Sequence, residues 1–147
     1  LATEVAALLA PEAIAKNIDL ELVNPESEAA IFGNPSYISI LIRNLVDNAI
    51  RYNTENGFVK INIEEDNKHV ILSVSDDGPG IPEDLRERVF ERFYRVIGNK
   101  TTGSGLGLGI VAQIVQLHNA DIELNTPANG KGIEFRILFS KTPPLDN

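Results

Sequence analysis

Cysteine, methionine and tryptophan are absent from the 147 residues, and histidine occurs only twice. Without cysteine there is neither a disulfide framework nor thiolate chemistry. His69 and His118 lie far apart with no companion ligands, which argues against a structural zinc site. The lack of Met even at position 1 is expected of a segment taken from a longer chain. Long apolar runs are missing too. None approaches the roughly 18 residues that span a bilayer, and no signal peptide opens the sequence. Basic residues are outnumbered, 13 Lys and Arg against 21 Asp and Glu, for a formal charge of −8. That balance argues against nucleic acid as a partner, since such surfaces are strongly basic.

What remains is ordinary globular composition, 43% apolar and 23% charged, at a length that suits one domain. Leu1 to Ala15 reads as the end of an amphipathic helix. Ile18 to Val23 alternates at period two like a half-buried strand, with Ala29 to Phe32 as a short partner. Asn34-Pro35-Ser36 is a helix start, and the helix should run to about Tyr52. Two strands are predicted near Phe58–Glu65 and His69–Ser75, ended by Asp77-Gly78-Pro79-Gly80. A short helix follows around Pro82-Glu83, and Arg95 to Gly103 is a polar connection. Leu106 to His118 has helical spacing, and strands near Asp121–Asn125 and Ile133–Phe139 flank a turn at Asn129 to Gly132. The order predicts an α/β two-layer sandwich, a mixed and mostly antiparallel sheet with about three helices.

Seven of the 11 glycines fall between residues 78 and 109. Turns alone could require them. Backbone that must approach a phosphate closely at a helix start could require them as well. The run Gly103-Ser104-Gly105-Leu106-Gly107-Leu108-Gly109 leads directly into a helix pattern, which favours the second reading. It is not a P-loop, because Asn99 rather than Gly precedes Lys100-Thr101. Nor is it a dinucleotide fingerprint, because Arg95 to Thr102 is too polar for the buried strand that should come first.

On the helix from Pro35, residues Asn44, Asp47, Asn48 and Arg51 share an arc of roughly 100° beside an apolar arc of Ile38, Leu41, Ile42, Leu45 and Ala49. A solvated face ordinarily carries Lys, Glu and Gln. Asn is a poor helix former, yet it appears twice at i, i+4. An amide oxygen can ligate Mg²⁺ and a guanidinium can hold phosphate oxygens. The third signal is Asp76-Asp77. Alternation through Val70, Leu72 and Val74 puts Asp76 on the apolar face, where a carboxylate needs a donor partner such as the exocyclic amine of a purine.

These segments, in this order, resemble the catalytic ATP-binding domain of bacterial two-component sensor histidine kinases, within the ATPase group that includes gyrase and MutL. Asn44-Leu45-Val46-Asp47-Asn48-Ala49 resembles its N box and Asp76-Asp77-Gly78-Pro79-Gly80-Ile81 its first glycine box. Phe90-Glu91-Arg92-Phe93-Tyr94-Arg95 resembles the F box, and Gly103-Ser104-Gly105-Leu106-Gly107-Leu108 the second glycine box. Within the family the QseC-type sensors look most similar. The resemblance implies the Bergerat-type fold over residues 16–141. Residues 1–15 would then lead in from an upstream dimerisation and phosphoacceptor region, and 142–147 would form a tail.

The resemblance further implies Mg²⁺ on Asn48, with Asn44 near the phosphates, Arg51 as a basic phosphate contact and Tyr52 lining the nucleotide. Asp76 would accept from the adenine amine, with Gly78, Gly80 and Ile81 shaping the pocket floor. Gly103, Ser104, Gly105, Leu106, Gly107 and Leu108 would bring backbone N–H groups to the phosphates, and Lys100 would reach them from a lid over Arg95 to Thr102. Three departures stand out. Ile133 replaces the Thr that usually follows the last box glycine, Gly109 replaces a residue with a side chain, and neither histidine has the acid and Arg-Thr-Pro-like run of a phosphoacceptor box. The expected activity is transfer of the γ-phosphoryl of ATP to a histidine on the helical hairpin of a homodimeric parent. Signalling would pass on to a response regulator, from a cytoplasmic domain of an inner-membrane sensor. Two alternatives stand beside it: a serine kinase of the same ATPase group, and a non-catalytic nucleotide-responsive module.

Overall fold

The structure is a computed structural model that describes residues 2–23, 31, 33–53, 56–86, 107–127 and 130–141. Helix α1 (Ala2–Ala15) leads to β1 (Asp19–Val23), and α2 (Pro35–Arg51) to β2 (Phe58–Glu65) and β3 (His69–Asp76). A single 3-10 turn (Glu83–Leu85) precedes α3 (Gly107–Leu117), β4 (Asp121–Asn125) and β5 (Ile133–Ser140). Ala29, Ala30 and Phe32 of the expected strand, the F box, the lid with Lys100, the run from Gly103 to Leu106 and the tail at 142–147 lie outside the described residues.

Spacing sets the helical layer. On α1, Ala2, Val5, Leu9 and Ala13 recur every three or four residues and are buried in the same core as the sheet, so this helix is part of the packed body. Pro11 lies on its exposed side, where the carbonyl that it leaves without a donor meets water. On α2, Asn34 caps the start by accepting from the N–H groups of Ser36 (2.9 Å) and Tyr37 (3.2 Å), and Pro35 takes the first turn. Its buried stripe is Ile38, Leu41, Ile42, Leu45, Val46, Ala49 and Ile50.

Helices α1 and α3 end alike. Asn17 (φ 55°) and Asn119 (φ 51°) adopt the left-handed region. After each, the next N–H reaches back to the carbonyl of residue 13 (2.8 Å) or 115 (3.0 Å). These are Schellman turns with Asn in place of Gly, and they deliver the chain directly into β1 and β4. The C-terminus of α2 is closed from outside. The Lys16 ammonium donates to the carbonyls of Ile50 (3.1 Å) and Arg51 (2.7 Å), as suits a cation at the negative end of a helix.

The sheet runs β1-β2-β3-β5-β4. The β1–β2 pair is parallel, with α2 in the crossover between them, and the other three pairs are antiparallel. One face meets the helices through Val59, Ile61, Val70, Leu72, Val74, Ile133, Phe135, Ile137 and Phe139. The sandwich expected from the sequence is thus the fold observed. Position matters most at the end of β3, the central strand, because register there pairs Asp76 with Val59 on one side and Ile133 on the other.

Gly132 enters β5 at φ +90°, and a Cβ on it would overlap the Asp76 carbonyl. Gly130 has a similar φ, +78°, but nothing within 4 Å of its would-be Cβ. Gly132→Ala should therefore lose about 3 kcal/mol or more, from strain plus overpacking. Gly130→Ala should lose only about 1 to 2 kcal/mol, from the left-handed backbone alone. Urea unfolding of the two variants measures both losses, and equal values would remove the close-packed crossing at Asp76 from consideration.

Candidate functional site

A carboxylate should not be found where Asp76 is without good reason. It is 6% exposed, at the end of the central strand with buried Val59 and Ile133 as cross-strand neighbours. Its Oδ1 accepts from the Gly78 N–H at 2.9 Å, and the Ile133 N–H also supports it. Desolvation outweighs these bonds. It pushes the carboxyl up to about 6, with the Asp77 charge adding to the rise. The Thr expected at position 133 is replaced by Ile, but the support that this position gives Asp76 comes from the backbone and survives.

Asp77 has the opposite task. Its Oδ1 accepts from the Phe58 N–H at 2.8 Å, while Asn53 Nδ2 donates to the Phe58 carbonyl at 2.9 Å. The first residue of β2 is held on both sides. Asn53, 4% exposed, was not singled out in the sequence, since a turn Asn looks like any other until its burial is known. It joins the end of α2 to the Asp76 loop: a Cβ on Gly78 would come within 3.2 Å of both the Cα and Oδ1 of Asn53. Farther along the loop, Gly80 (φ +75°) packs on the Gly132 carbonyl. Ile81 is half-buried against the core, and its carbonyl accepts from Arg86 Nε at 3.1 Å. The Arg86 guanidinium also reaches Thr126 Oγ1 at 3.0 Å, tying this loop to the β4–β5 connection.

At the other end of the α2 face, the Asn44 amide donates to the Ile40 carbonyl at 2.9 Å, one turn back. Its Oδ1 lies 3.2 Å from where a Gly107 Cβ would stand, so a side chain at 107 would crowd it. Leu108, the next residue of α3, is half-buried against the core. Asn48 is half-buried one turn beyond Asn44, and Tyr52 forms the C-cap. Arg51 Nε lies 3.3 Å from Asp47 Oδ2 in an i, i+4 ion pair whose members are 47% and 31% exposed. In water such a pair contributes little.

The described candidate residues therefore share one wall. From Asn44 beside Gly107 to Tyr52, just before Asn53 and Gly78, α2 runs about 12 Å along its axis. A half-buried polar face spans that distance, with a buried acceptor at one end and a helix start at the other. Lys100, Gly103, Ser104, Gly105 and Leu106 lie outside the described residues. His118 stands at the end of α3. Its Nδ1–H donates to the Ile114 carbonyl at 2.8 Å and its Nε2 accepts from the Asn34 N–H at 3.1 Å, the pattern of a neutral ring.

The raised Asp76 carboxyl has a consequence for the free protein. Folded, it holds its proton up to about pH 6, whereas the unfolded chain releases it near 3.8. Its contribution to stability is whole below pH 4 and is lost as pH rises through 6, a loss of about 3 kcal/mol at neutral pH. Asp76→Asn, which keeps the acceptor oxygen, should stabilise the nucleotide-free domain by roughly 2 kcal/mol at pH 7.5 and leave it unchanged at pH 3.5. Thermal unfolding at the two pH values decides this, and a variant less stable at pH 7.5 would refute it.

Comparison with known proteins fits this geometry. The family described as histidine kinase-, DNA gyrase B-, and HSP90-like ATPase matches residues 33–143. Sensor protein kinase PmrB of Pseudomonas aeruginosa is 39% identical over 98% of this chain and 30% of its own length. Sensor protein QseC of Escherichia coli is 38% identical over 83% and 26%. The chain thus spans less than a third of the curated relatives it matches. Among solved structures, the nucleotide-free catalytic domain of histidine kinase ThkA superposes with a TM-score of 0.83 at 32% identity, over 97% of this chain and 92% of that one. A second ThkA structure, in complex with response regulator protein TrrA, gives 0.76 at 30% identity over 95% and 39%. The chain belongs to the histidine kinase-, DNA gyrase B-, and HSP90-like ATPase family, and its fold is that of the histidine kinase catalytic domains.

Proposed function

We propose that this chain binds Mg²⁺–ATP along α2 and presents the γ-phosphoryl group to a histidine on the helical hairpin of its parent, a homodimeric inner-membrane sensor with this domain in the cytoplasm. The observation that carries the reading is the shared wall, with a buried, desolvated acceptor (Asp76) at one end and a helix start (Gly107) beside the Asn44 amide at the other. An adenine amine donates to Asp76, and its bond is charge-assisted once the carboxyl is ionised. Ile81 and Tyr52 flank the base, and Gly78 and Gly80 keep the loop backbone close to it. The triphosphate then lies toward Asn44, Asn48 and Arg51. Gly107 starts α3, whose positive end suits phosphate, and Gly103 and Gly105 would add their N–H groups there. Ser104, Leu106 and Leu108 would belong to the same phosphate-binding run, and Lys100 would add a cation to it.

The donor set suits a hard cation. Asn44 Nδ2 is committed to Ile40, so the Asn44 oxygen is the end that faces Gly107. Asn48 offers a second amide oxygen one turn on, and Asp47 a carboxylate beside it. Among the described residues no three His, Cys, Asp or Glu side chains gather as a cage. One or two protein oxygens completed by phosphates and water is the arrangement that Mg²⁺ prefers. Asn48 would hold it. The chemistry supplied by bound Mg²⁺ is neutralisation of phosphate charge. With a formal charge of −8 the chain repels ATP at long range, so Arg51 and Lys100 act locally to reverse that field.

The chain's own residues position the nucleotide; they supply no acceptor. His118 is about 16 Å from Gly107 along α3 and both its ring nitrogens are engaged. In-line transfer needs the acceptor roughly 3 to 3.5 Å from the phosphorus. A second partner, a response regulator, would then take the phosphoryl from the hairpin histidine; the ThkA kinase is known in complex with such a protein.

With γ-labelled ATP the isolated domain should stay unlabelled, and a separately added hairpin from the parent should gain acid-labile label. Asn48→Ala should abolish that transfer while keeping the fold. ATP should bind more tightly than GTP, and Asp76→Asn should weaken ATP by about 2 kcal/mol. Label on the domain itself, or on a hairpin serine, would contradict the proposal, as would equal calorimetric affinities for the two nucleotides.

A further inference from the structure

We infer that His118 is a positioning residue for the phosphate end of the site, locking the axial register of α3 against α2. The inference rests on the nucleotide-site reading above and goes beyond it, because His118 touches none of the residues placed there. Helices α2 and α3 run antiparallel: Asn44 meets Gly107, and ten residues back along α2 Asn34 meets His118, eleven residues on along α3. The two contacts are the ends of one helix pair. At the far end the His118 ring bridges two backbone groups of fixed position. Its Nδ1–H donates to the Ile114 carbonyl of its own helix (2.8 Å), and its Nε2 accepts from the N–H of Asn34 (3.1 Å). Asn34 is also the residue whose side chain caps α2.

Two further contacts fix the plane of the ring. It stands T-shaped to the Phe139 ring on β5, at a centroid distance of 6.3 Å and an interplanar angle of 89°. Gly33 admits it from the other side, since a Cβ there would lie 2.9 Å from His118 Cδ2. One rigid group thus joins α3, the first turn of α2 and the sheet. Sliding α3 along α2 would break the Asn34 bond and move Gly107 relative to Asn44. The Asp76 end would not follow, because it is tied to α2 through Asn53 and Gly78 and to the sheet through Ile133. Loosening His118 should therefore weaken binding of phosphates and leave binding of the base alone. Loss of global stability would not separate the two.

The test compares ATP with adenosine by calorimetry on the whole domain. In the unaltered chain ATP must bind more tightly than adenosine. If it does not, the site reading fails, and the inference with it. His118→Asn, which retains an amide near the Nδ1 position but cannot reach Asn34, should weaken ATP roughly ten-fold and leave adenosine unchanged. His118→Gln, whose amide oxygen can stand near Nε2, should keep ATP within about two-fold. Nitrogen-15 spectra of the unaltered ring should show Nδ1 protonated and Nε2 bare, a reading that needs no variant. Equal losses for ATP and adenosine, an unchanged ATP affinity in His118→Asn, or a protonated Nε2 would each overturn the inference.

Discussion

The rest of the site depends on one costly placement, a carboxylate buried at the end of the central strand. Water is excluded around Asp76 by Val59 and Ile133 across the sheet, and this is what lifts its carboxyl to about 6. The same exclusion makes any bond to it strong, since low local dielectric strengthens a satisfied bond as much as it penalises an unsatisfied one. Two backbone N–H groups, from Gly78 and Ile133, hold the oxygens. They reach it only because β5 starts in register with Asp76 and because Gly132 presses onto the Asp76 carbonyl without a side chain.

From that point the constraint passes to α2. Its apolar stripe fixes rotation against the sheet, and the orientation of the polar face follows from that. Its ends are held by groups from elsewhere in the chain: Lys16 on the last carbonyls, His118 on the capping residue. Asn53 and Asp77 grip the two backbone groups of Phe58 and set the approach of the helix end to the Asp76 loop. A site built this way has rigid walls on one side, which suits the positioning role proposed for it.

Local pattern made much of this legible. The Asn34-Pro35 start, the period of the α2 stripe, the alternation into Asp76 and the break at Gly78 all follow from spacing and turn chemistry, and the structure places them as expected. What spacing could not supply was long-range pairing. That β1 lies parallel to β2, 39 residues later at Asp19 and Phe58, depends on which faces are complementary after α2 has packed. Asn53, Asp77 and Arg86 were opaque for the same reason, because each acts on backbone groups brought near by the fold. The contact made by His118 was opaque too, because the Asn34 N–H that it accepts from comes from 84 positions away. Gly103 and Gly105 were read from their run alone, and they lie outside the described residues.

The measurement closest to the heart of this picture is a carbon-13 titration of the Asp76 side-chain carboxyl, with and without ATP. Free, it should titrate at about 6, well above its ordinary 3.8, because burial opposes the charge. With ATP bound, a donating amine should favour the charged form and bring the midpoint down by about one unit or more. A free carboxyl titrating near 3.8, or one that ATP leaves unmoved, would contradict the buried acceptor on which the rest of the site depends.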